Sequence, residues 1–267
     1  MLVTGATSGI GMCGAQQLAA LGAHVVVAAR NGAKADAVVA DIVAAGGRAS
    51  ALTIDLASFA SIRRAADVLG GEHARLDVLV NNAGIAPGKR ESSVDGYELT
   101  WTTNFLGLVL LTRSLLPLLA RASEPRVVNV SSDAHRYGSI DWDDLNFERR
   151  RFRGIAAYAQ SKLAVNLHTR ELARREPGIA VNAVHPGAIA TNIWRAAPPV
   201  IRAILDRVLP APGRGAVPVV RLATSEDVRG TSGRYFNKLA ETEPSPRSRN
   251  DADAARLWDV AERAIAT

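Results

Sequence analysis

Short apolar runs alternate along this chain with longer segments in which apolar residues recur every three or four positions. The pattern predicts buried strands at 2–3, 23–29, 49–54, 76–80, 126–130, 179–184 and 233–236. A turn and a segment of helical period follow each run, and the last helix is predicted at about 252–266. Because strands that alternate with helices form parallel sheets, the sequence predicts an α/β fold. We expect a doubly wound parallel sheet of about seven strands with helices on both faces.

No internal repeat or low-complexity linker divides the chain, so we expect a single domain over residues 1–267. The segment 198–215 carries four prolines and two short helical patterns. It is predicted as part of a substrate loop, at about 192–215, that leaves the sheet. Only three residues separate Met1 from Gly5, so the first strand is very short. We expect that a few residues are missing before it.

Composition narrows the class of protein. With 48% apolar and 22% charged residues, the chain has enough apolar material for a globular core. Its one cysteine, Cys13, excludes an intrachain disulfide and favours a reduced compartment. No signal peptide is visible, and the longest uncharged apolar stretch, 105–111, is too short to cross a bilayer. We therefore expect a cytoplasmic protein without a membrane anchor.

The formal net charge is +6, but the basic residues are scattered along the chain. Their one cluster lies in a predicted loop and consists of Arg149, Arg150, Arg151 and Arg153. It forms a solvated face or, alternatively, favours an acidic substrate. The scatter argues against nucleic acid as a partner, and an anionic cofactor is enough to use the positive charge. The five histidines show no paired ligand spacing, so no metal site is predicted.

A glycine-rich turn joins the first predicted strand to the first predicted helix. Gly5, Gly9 and Gly11 let the backbone turn sharply and approach a pyrophosphate closely. The free N–H groups at the start of the helix attract phosphate. Three hydroxyl donors lie in the same stretch, namely Thr4, Thr7 and Ser8. Taken alone, the turn also fits an ordinary connection between a strand and a helix.

A second motif carries chemistry for proton transfer. Tyr158 and Lys162 stand four positions apart on a predicted helix, so their side chains face the same space. A free tyrosine has a pKa of about 10 and is a poor base at neutral pH, and a neighbouring ammonium is expected to lower that pKa. The predicted strand at 126–130 leads into Ser131 and Ser132. Their hydroxyl groups fit a donor to a developing oxyanion, or simply the chemistry of a strand-end turn.

Together these motifs resemble the short-chain dehydrogenase/reductase family. The shared elements are the Gly-x-x-x-Gly-x-Gly spacing of 5–11, Asn-Asn-Ala-Gly at 81–84, the serine pair, Tyr-x-x-x-Lys, and His-Pro-Gly at 185–187. The likeness covers essentially the whole chain. The stretches SSDAHRYG, IDWDDLNFE, NAVHPG and GTSGRYF resemble the retinol-dehydrogenase-like branch of the family, as does the long interval between Ser132 and Tyr158.

The resemblance implies a Rossmann-type fold and a catalytic set of Ser132, Tyr158, Lys162 and Asn104, with Ser131 as the alternative serine. In this family the asparagine helps to order a water relay behind the lysine. Ala29 occupies the position of the acidic residue that selects NAD, and Arg30 follows it. Because Arg pairs well with a 2′-phosphate, the cofactor is expected to be NADP(H).

The resemblance also implies a cofactor site built from several strand ends. The phosphates are expected at Gly5, Thr7, Ser8, Gly9, Ile10 and Gly11, and the 2′-phosphate at Arg30, Asn31 and Lys34. Adenine is expected at Asp55 and Leu56, and the nicotinamide side at Asn82, Ala83, Gly84, Tyr158, Lys162, Pro186, Gly187, Ile189 and Thr191. Asp55 could instead cap the helix from Ser58, a role that is compatible with contact to adenine, and His185 is expected to be structural.

We therefore expect an oxidoreductase that reduces an aldehyde or ketone with NADPH, or runs the reverse reaction. Tyr158 gives the proton, Ser132 binds the carbonyl oxygen, and Lys162 both binds the cofactor and tunes Tyr158. Two alternatives stay open: a reductase of a carbon–carbon double bond similar to the protochlorophyllide reductases, and a non-catalytic NADP(H)-sensing protein. The partner is a small-molecule carbonyl or alcohol. Its identity, the physiological direction, and the choice between a monomer, a homodimer and a homotetramer stay open.

Overall fold

The computed structural model describes residues 1–189, 207 and 209–266. Within this part of the chain one sheet contains the strands β1 Leu2–Thr4, β2 His24–Ala29, β3 Arg48–Thr53, β4 Val78–Asn81, β5 Arg126–Val130, β6 Ala180–His185, β7 Tyr235–Asn237 and β8 Ala240–Glu241. Their order is β3-β2-β1-β4-β5-β6-β7-β8, and only β8 runs antiparallel to its neighbour. The predicted α/β fold and doubly wound parallel sheet are confirmed. The two-residue β8 was not predicted, because it is exposed and has no apolar run.

Helices connect the strands and cover both faces of the sheet. They are α1 Gly9–Ala20, α2 Gly32–Ala44, α3 Phe59–Glu72, α4 Leu99–Trp101, α5 Gly107–Leu119, α6 Gly154–Arg175, α7 Pro212–Thr224 and α8 Asp251–Ile265. A π-helical turn, Thr102–Leu106, joins α4 to α5. Short 3₁₀ helices lie at Asp133–Tyr137, Glu226–Val228 and Pro246–Arg249. Residues 212–215 of the predicted substrate loop are therefore helical, and its residues 192–206 and 208 lie outside the described residues.

The order of the strands fixes where a ligand can enter. The chain moves from β1 outward to β2 and β3, then returns to the other side of β1 with β4. The connections after β1 and β4 therefore diverge to opposite faces of the sheet. In open parallel sheets a crevice forms at such a reversal, outside the carboxyl ends of the strands. The glycine-rich turn after β1 and the Asn-Asn-Ala-Gly sequence at the end of β4 meet at this crevice.

Two apolar clusters hold the sheet between its helices. One includes Val3, Val25, Val27, Val128 and Val184 on the face that packs against α1, α2 and α7. The other includes Leu2, Leu79, Val127 and Val181 on the opposite face, with apolar side chains of α3, α5, α6 and α8. Alternate residues of each strand thus enter different cores, as the two-residue repeat of a strand requires.

One helical stretch is long and apolar enough to cross a membrane by length and composition alone. It is Leu99–Leu119, which runs through α4, the π-turn and α5, and its most apolar window has a mean hydropathy of 1.4. In this structure 72% of its most apolar window is buried inside the fold. Leu106, Leu111 and Leu115 are fully buried there. We therefore interpret this stretch as a core helix.

Candidate active site

Three glycines shape the turn between β1 and α1. Gly5 and Gly9 have φ angles of 64° and 55°, which side-chain-bearing residues rarely adopt. A Cβ atom on Gly11 would collide with the carbonyl oxygen of Gly5 and with the side-chain amide of Asn82. The start of α1 therefore lies directly against the ends of β1 and β4. Its first turn has no acidic residue, and Ser8 makes no side-chain cap, so the arrangement fits a phosphate group.

Thr4 does not serve this turn as a donor to phosphate. Its buried hydroxyl donates to the carbonyl oxygen of Val80 at 3.3 Å. It also accepts from the backbone N–H groups of Asn82 and Ala83 at 3.0 and 3.1 Å. The expectation for Thr4 was wrong, because neighbouring backbone groups use this hydroxyl to join the ends of β1 and β4. Thr7 is half-buried and Ser8 is exposed, so both stay as predicted donors.

The end of β2 presents basic side chains without a carboxylate. Ala29 is buried, and Arg30 follows it as an exposed residue. Asn31 caps α2, with its side-chain oxygen accepting from the backbone N–H of Lys34 at 3.0 Å. Among the described residues, no hydrogen bond or ion pair engages the side chains of Arg30 or Lys34. Both cations are thus available to an anionic group at this strand end.

Asp55 does not cap the helix that follows β3. The side chain of Ser58 caps α3 by accepting from the N–H of Ser61 at 3.3 Å. The Asp55 carboxylate instead accepts from the N–H of Ala57 at 3.0 Å, and it fixes the turn before the helix. The helix-cap alternative for Asp55 was therefore wrong. Leu56 is buried beside it, and contact of this pair with adenine stays a prediction.

Ser132, Tyr158 and Lys162 come together between the end of β5 and the first turns of α6. Ser132 acts on the Tyr158 hydroxyl as a side-chain hydrogen-bond partner that lowers the pKa of the tyrosine. The ammonium Nζ of Lys162 lies 5.6 Å from the centre of the Tyr158 ring and donates to the carbonyl oxygen of Val130 at 2.7 Å. Ser131 is turned away from this group, because its hydroxyl approaches the carbonyl oxygen of Lys162 at 3.4 Å. Of the two candidate serines, only Ser132 meets the tyrosine.

Burial controls the protonation of this group. It raises the pKa of Tyr158 above its ordinary value, and the hydrogen bond from Ser132 offsets part of that rise. Burial also lowers the pKa of Lys162 to about 8. The expectation that the ammonium lowers the pKa of Tyr158 was wrong for this state, because loss of hydration outweighs the other influences. A tyrosine that holds its proton suits a general acid better than a base.

Asn104 lies inside the π-helical turn and bridges two parts of the site. Its side-chain oxygen accepts from the N–H of Ile85 at 2.8 Å, and its amide donates to the carbonyl oxygen of Ile85 at 2.9 Å. The amide also donates to the hydroxyl of Ser161 at 3.0 Å. Gly84 lies beside this bridge, since a Cβ there would stand 3.5 Å from both Asn104 and the Nζ of Lys162. A π-turn is often found at functional sites, and the sequence predicted only an ordinary helix here.

The turn after β6 completes the crevice. Gly187 has a φ angle of 99°, so the Pro-Gly turn requires glycine at this position. Ile189 is buried close to Ile10, because both approach the Cβ position of Gly215 within about 3 Å. The first turn of α7 therefore closes over the glycine-rich turn. Thr191, predicted to bind the cofactor, lies outside the described residues.

Two features near the site differ from expectation or were missed. Arg150 is not part of a solvated face: it lies 3.7 Å above the Phe147 ring, donates to Gln160 at 2.6 Å and pairs with Asp144. Arg149, Arg151 and Arg153 are exposed. Asp133, next to Ser132, was missed because Tyr235 and Asn237, which donate to its carboxylate, lie more than 100 positions further along the chain.

Comparison with known proteins identifies the family. The short chain dehydrogenase family matches residues 1–199. Human retinol dehydrogenase 13 is 37% identical over 99% of this chain and 84% of its own length. Mouse polyprenol dehydrogenase is 40% identical over 96% of this chain and 81% of its own length.

Solved structures agree with this family. An uncharacterized protein from Mycobacterium paratuberculosis has a TM-score of 0.80 at 34% identity, over 100% of this chain and 92% of that one. A short chain dehydrogenase from Shigella flexneri complexed with NADP has a TM-score of 0.72 at 26% identity, over 90% and 96% of the two chains. The chain belongs to the short-chain dehydrogenase/reductase family and is similar to its retinol dehydrogenases. It is therefore an oxidoreductase that uses a nicotinamide cofactor.

Proposed function

We propose that this protein interconverts an aldehyde or ketone and the corresponding alcohol with NADP(H), using Tyr158 as the acid–base group. The observation that carries the proposal is the convergence of Ser132 and Tyr158 beside the buried ammonium of Lys162, which lies 5.6 Å from the centre of the tyrosine ring. Two neighbouring hydroxyl groups can both donate to one carbonyl oxygen. Such paired donors stabilise the negative charge that develops on that oxygen.

Each residue of the site has a separate role in the proposed reaction. When bound, NADPH supplies the hydride. Tyr158 holds its proton at neutral pH because burial raises its pKa, and it gives that proton to the substrate oxygen. Ser132 holds the same oxygen in place. Lys162, fixed by the carbonyl oxygen of Val130, binds the cofactor ribose and restores the proton to Tyr158 through a water relay at Asn104.

The choice of NADP(H) over NAD(H) rests on the end of β2. Ala29 brings no carboxylate there, while Arg30 and Lys34 are exposed cations without protein partners among the described residues. The similar Shigella flexneri structure is a complex with NADP. Since hydrogen bonds to charged groups contribute roughly 1.5–3 kcal/mol, Arg30→Asp should reduce the preference for NADPH over NADH at least about tenfold. Arg64→Asp on α3 makes the same change of net charge and should leave the preference unchanged.

The substrate class follows from the relatives and from the surface beside the site. Retinol and polyprenol, which name two similar dehydrogenases, are both apolar isoprenoid alcohols. In this chain Tyr137 is 85% exposed at the end of the 3₁₀ helix that follows Ser132, and Ile155 is 83% exposed one turn before Tyr158. Exposed large apolar residues close to a catalytic group favour an apolar substrate. We therefore propose an apolar alcohol or aldehyde as the substrate.

The decisive experiment follows the loss of NADPH absorbance with a panel of aldehydes and ketones that includes retinal and a polyprenal. NADH is the cofactor control. We expect at least one apolar carbonyl to be reduced with NADPH. Tyr158→Phe should lower kcat by about 1,000-fold without weakening NADPH binding, because it removes only the proton donor. Tyr97→Phe, whose hydroxyl only reaches the carbonyl oxygen of Ala264 among the described residues, is the matched control and should keep near-normal kcat.

Each component of the proposal has its own contrary result. Near-normal turnover in Tyr158→Phe would remove the acid–base role of that residue. Better turnover with NADH would contradict the role of Arg30. If NADPH binds and no carbonyl in the panel is reduced, the carbonyl reductase assignment is wrong. Product analysis with conjugated alkenes then separates a carbon–carbon reductase from a non-catalytic sensor.

A further inference from the structure

Asp133 follows Ser132 directly, yet its carboxylate faces residues from distant parts of the chain. Oδ1 accepts from the hydroxyl of Tyr235 at 2.9 Å, and Oδ2 accepts from the side-chain amide of Asn237 at 3.4 Å. Both partners belong to β7. On its own 3₁₀ helix, Arg136 donates to Oδ1 at 3.4 Å. The carboxylate therefore ties the segment after β5 to β7, which lies on the far side of β6.

The same carboxylate also reaches the turn that ends β6. The Nε2 atom of His185 lies 3.6 Å from Oδ2 of Asp133. A carboxylate can only accept, so the contact is favourable when Nε2 carries the proton. The other ring nitrogen, Nδ1, is buried and has no hydrogen-bond partner. Asp133 is therefore an electrostatic partner of the His185 ring, at a separation longer than a hydrogen bond.

His185 begins the turn that Pro186 and Gly187 complete. Its carbonyl oxygen accepts from the backbone N–H of Lys238 at 2.7 Å, which ties the turn to the end of β7. The side chain of Lys238 then passes the Gly187 backbone, with Cε 3.3 Å from the position of a Cβ atom. Movement of His185 would therefore move the Pro-Gly turn that faces the crevice.

The charges at this junction keep the carboxylate ionised. Burial alone raises the pKa of Asp133, but the hydrogen bond from Tyr235, the charge that His185 carries at the low pH where the carboxyl titrates, and the charge of Arg136 outweigh it and lower the pKa. Burial lowers the pKa of His185, Asp133 opposes this, and the charges of Lys238, Arg136 and Lys162 add to the lowering. At neutral pH the pair is thus a carboxylate beside a neutral imidazole.

We propose that Asp133 is a positioning residue that fixes the distance between Ser132 and the His185–Pro186–Gly187 turn. It does so by holding both to the end of β7. The inference rests on the proposed function, in which Ser132 binds the substrate oxygen and the turn lies at the nicotinamide. Hydride transfer needs the two reacting carbons at a defined separation, and small misplacements lower its rate strongly.

A second histidine, His135, anchors the same 3₁₀ helix independently of Asp133. The effect of an Asp133 variant can therefore be distinguished from unfolding. His135 is buried on the same 3₁₀ helix, and its Nε2 accepts from the N–H of Ser245 at 3.0 Å. Its Nδ1 therefore carries the proton and donates to the carbonyl oxygen of Ser132 at 2.7 Å. The helix keeps this anchor when Asp133 is changed. A variant at Asp133 should accordingly stay folded while the link to β6 and β7 is lost.

The first test is kinetic and uses the full chain with NADPH and the best carbonyl substrate. Asp133→Ala should lower kcat by roughly 10- to 100-fold and change the Kd for NADPH by less than about threefold. Asp133→Asn keeps one acceptor for the hydroxyl of Tyr235, so its kcat should fall less than that of Asp133→Ala. With NADPH deuterated at the transferred position, the isotope effect on kcat should rise in both variants, because hydride transfer becomes slower. Asp77→Asn, which breaks an exposed ion pair with Arg75 before β4, is the control.

The second test needs no activity. Hydrogen exchange of the cofactor-free protein is followed at two backbone amides, those of His135 and Lys238, which donate to the carbonyl oxygens of Ser132 and His185. In Asp133→Ala both amides should exchange faster, while Asp77→Asn leaves both unchanged. Faster exchange at His135 alone would overturn the link between the two segments.

The two tests separate this proposal from the proposed function. If the wild-type protein reduces a carbonyl and Asp133→Ala keeps its kcat and isotope effect, Asp133 has no positioning role. If no carbonyl is reduced at all, the proposed function fails. The exchange experiment then still decides whether Asp133 joins the two segments.

Discussion

The two faces of the central sheet are built from different material. On the face that carries α1, α2 and α7, the strands contribute a buried layer of valine and alanine, including Val3, Val27 and Val128. The polar groups of that face lie at its margin: Arg126 donates to carbonyl groups after and within α7, and Asn182 bonds the chain before β7. The apolar side chains of this face fill the space beneath α1, α2 and α7 and support the helix that follows the glycine-rich turn.

The opposite face buries a chain of hydrogen bonds beneath α5 and α6. Asn81 and Asn129 stand side by side in register on β4 and β5, and the Asn81 amide donates to the Asn129 oxygen at 2.9 Å. The Asn81 amide also donates to Thr112 of α5, and the Asn129 amide donates to Thr169 of α6, each at 2.9 Å. Four side chains from four elements thus form one buried polar chain.

The difference follows from what each face holds. The cofactor is expected to bind largely through backbone groups of a turn, which needs no buried polar side chain. Tyr158 and Lys162 stand on α6, and a buried ammonium must have an acceptor such as the carbonyl oxygen of Val130. Directional bonds fix a helix more narrowly than apolar contacts do. We infer that the polar face holds α6 in one position so that its two reactive side chains stay aligned.

The largest effect is expected when a polar group enters the apolar face. Val128→Asn places an amide without a partner among valines and removes apolar burial. We expect a loss of about 4 kcal/mol of unfolding free energy in urea. Val128→Ala should lose about 2 kcal/mol, because it only removes volume. Equal losses in the two variants would mean that this face tolerates a polar group.

The next effect concerns the charge on the polar face. The ordinary pKa of lysine is 10.5, and that of Lys162 is about 8 in the folded protein. Between these values the unfolded chain binds more protons, so the unfolding free energy rises with pH. The rise amounts to about 3 kcal/mol for the cofactor-free protein between pH 8 and pH 10.5. Lys162→Met should abolish this rise, and Lys34→Met should keep it. An unchanged pH profile in Lys162→Met would contradict the burial of its charge.

A smaller effect is expected at His168, which stacks on Trp258 of α8 and contacts Phe105 edge-on. Burial lowers its pKa to about 4 from an ordinary 6.5. Its contribution to stability is complete above pH 6.5 and declines as the pH falls towards 4. At pH 5 the titration of His168 should have lowered the unfolding free energy of the wild type by about 2 kcal/mol relative to its value above pH 6.5. His168→Phe keeps the ring and should remove that share of the acid sensitivity. A variant as acid-sensitive as the wild type would show that other groups cause the decline.

The smallest effect tests one end of the polar chain. Thr112→Val removes the acceptor of one of the two bonds made by the Asn81 amide, which keeps its bond to Asn129. We expect a loss of about 1 kcal/mol. Thr224→Val on α7 is the matched control, because its hydroxyl only bonds the carbonyl oxygen of Val220 on its own helix. If Thr224→Val loses as much unfolding free energy as Thr112→Val, the buried chain of hydrogen bonds contributes no more to stability than an ordinary threonine hydroxyl.

Most of the fold could be predicted because the strands and helices have recognisable patterns of apolar residues in the local sequence. Buried parallel strands are continuous apolar runs, so β2 and β5 were placed within one residue, whereas the exposed β8 has no such signal. The order of the strands follows from rules for connections in parallel sheets. The π-turn at Asn104 was not predicted, because its hydrogen bonds to Ile85 and Ser161 come from other segments.

The candidate site divides in the same way. The sequence by itself determined that Tyr158 and Lys162 share a helix face, that Gly5, Gly9 and Gly187 occupy turns, and that a cation ends β2. Local geometry is sufficient for each of these. Only the tertiary structure decided that Thr4 serves the backbone, that burial raises the pKa of Tyr158, and that Asp133 meets Tyr235. The hydration and the hydrogen-bond partners of these side chains depend on residues far away along the chain, in the case of Asp133 and Tyr235 more than 100 positions apart. No local sequence pattern encodes such contacts.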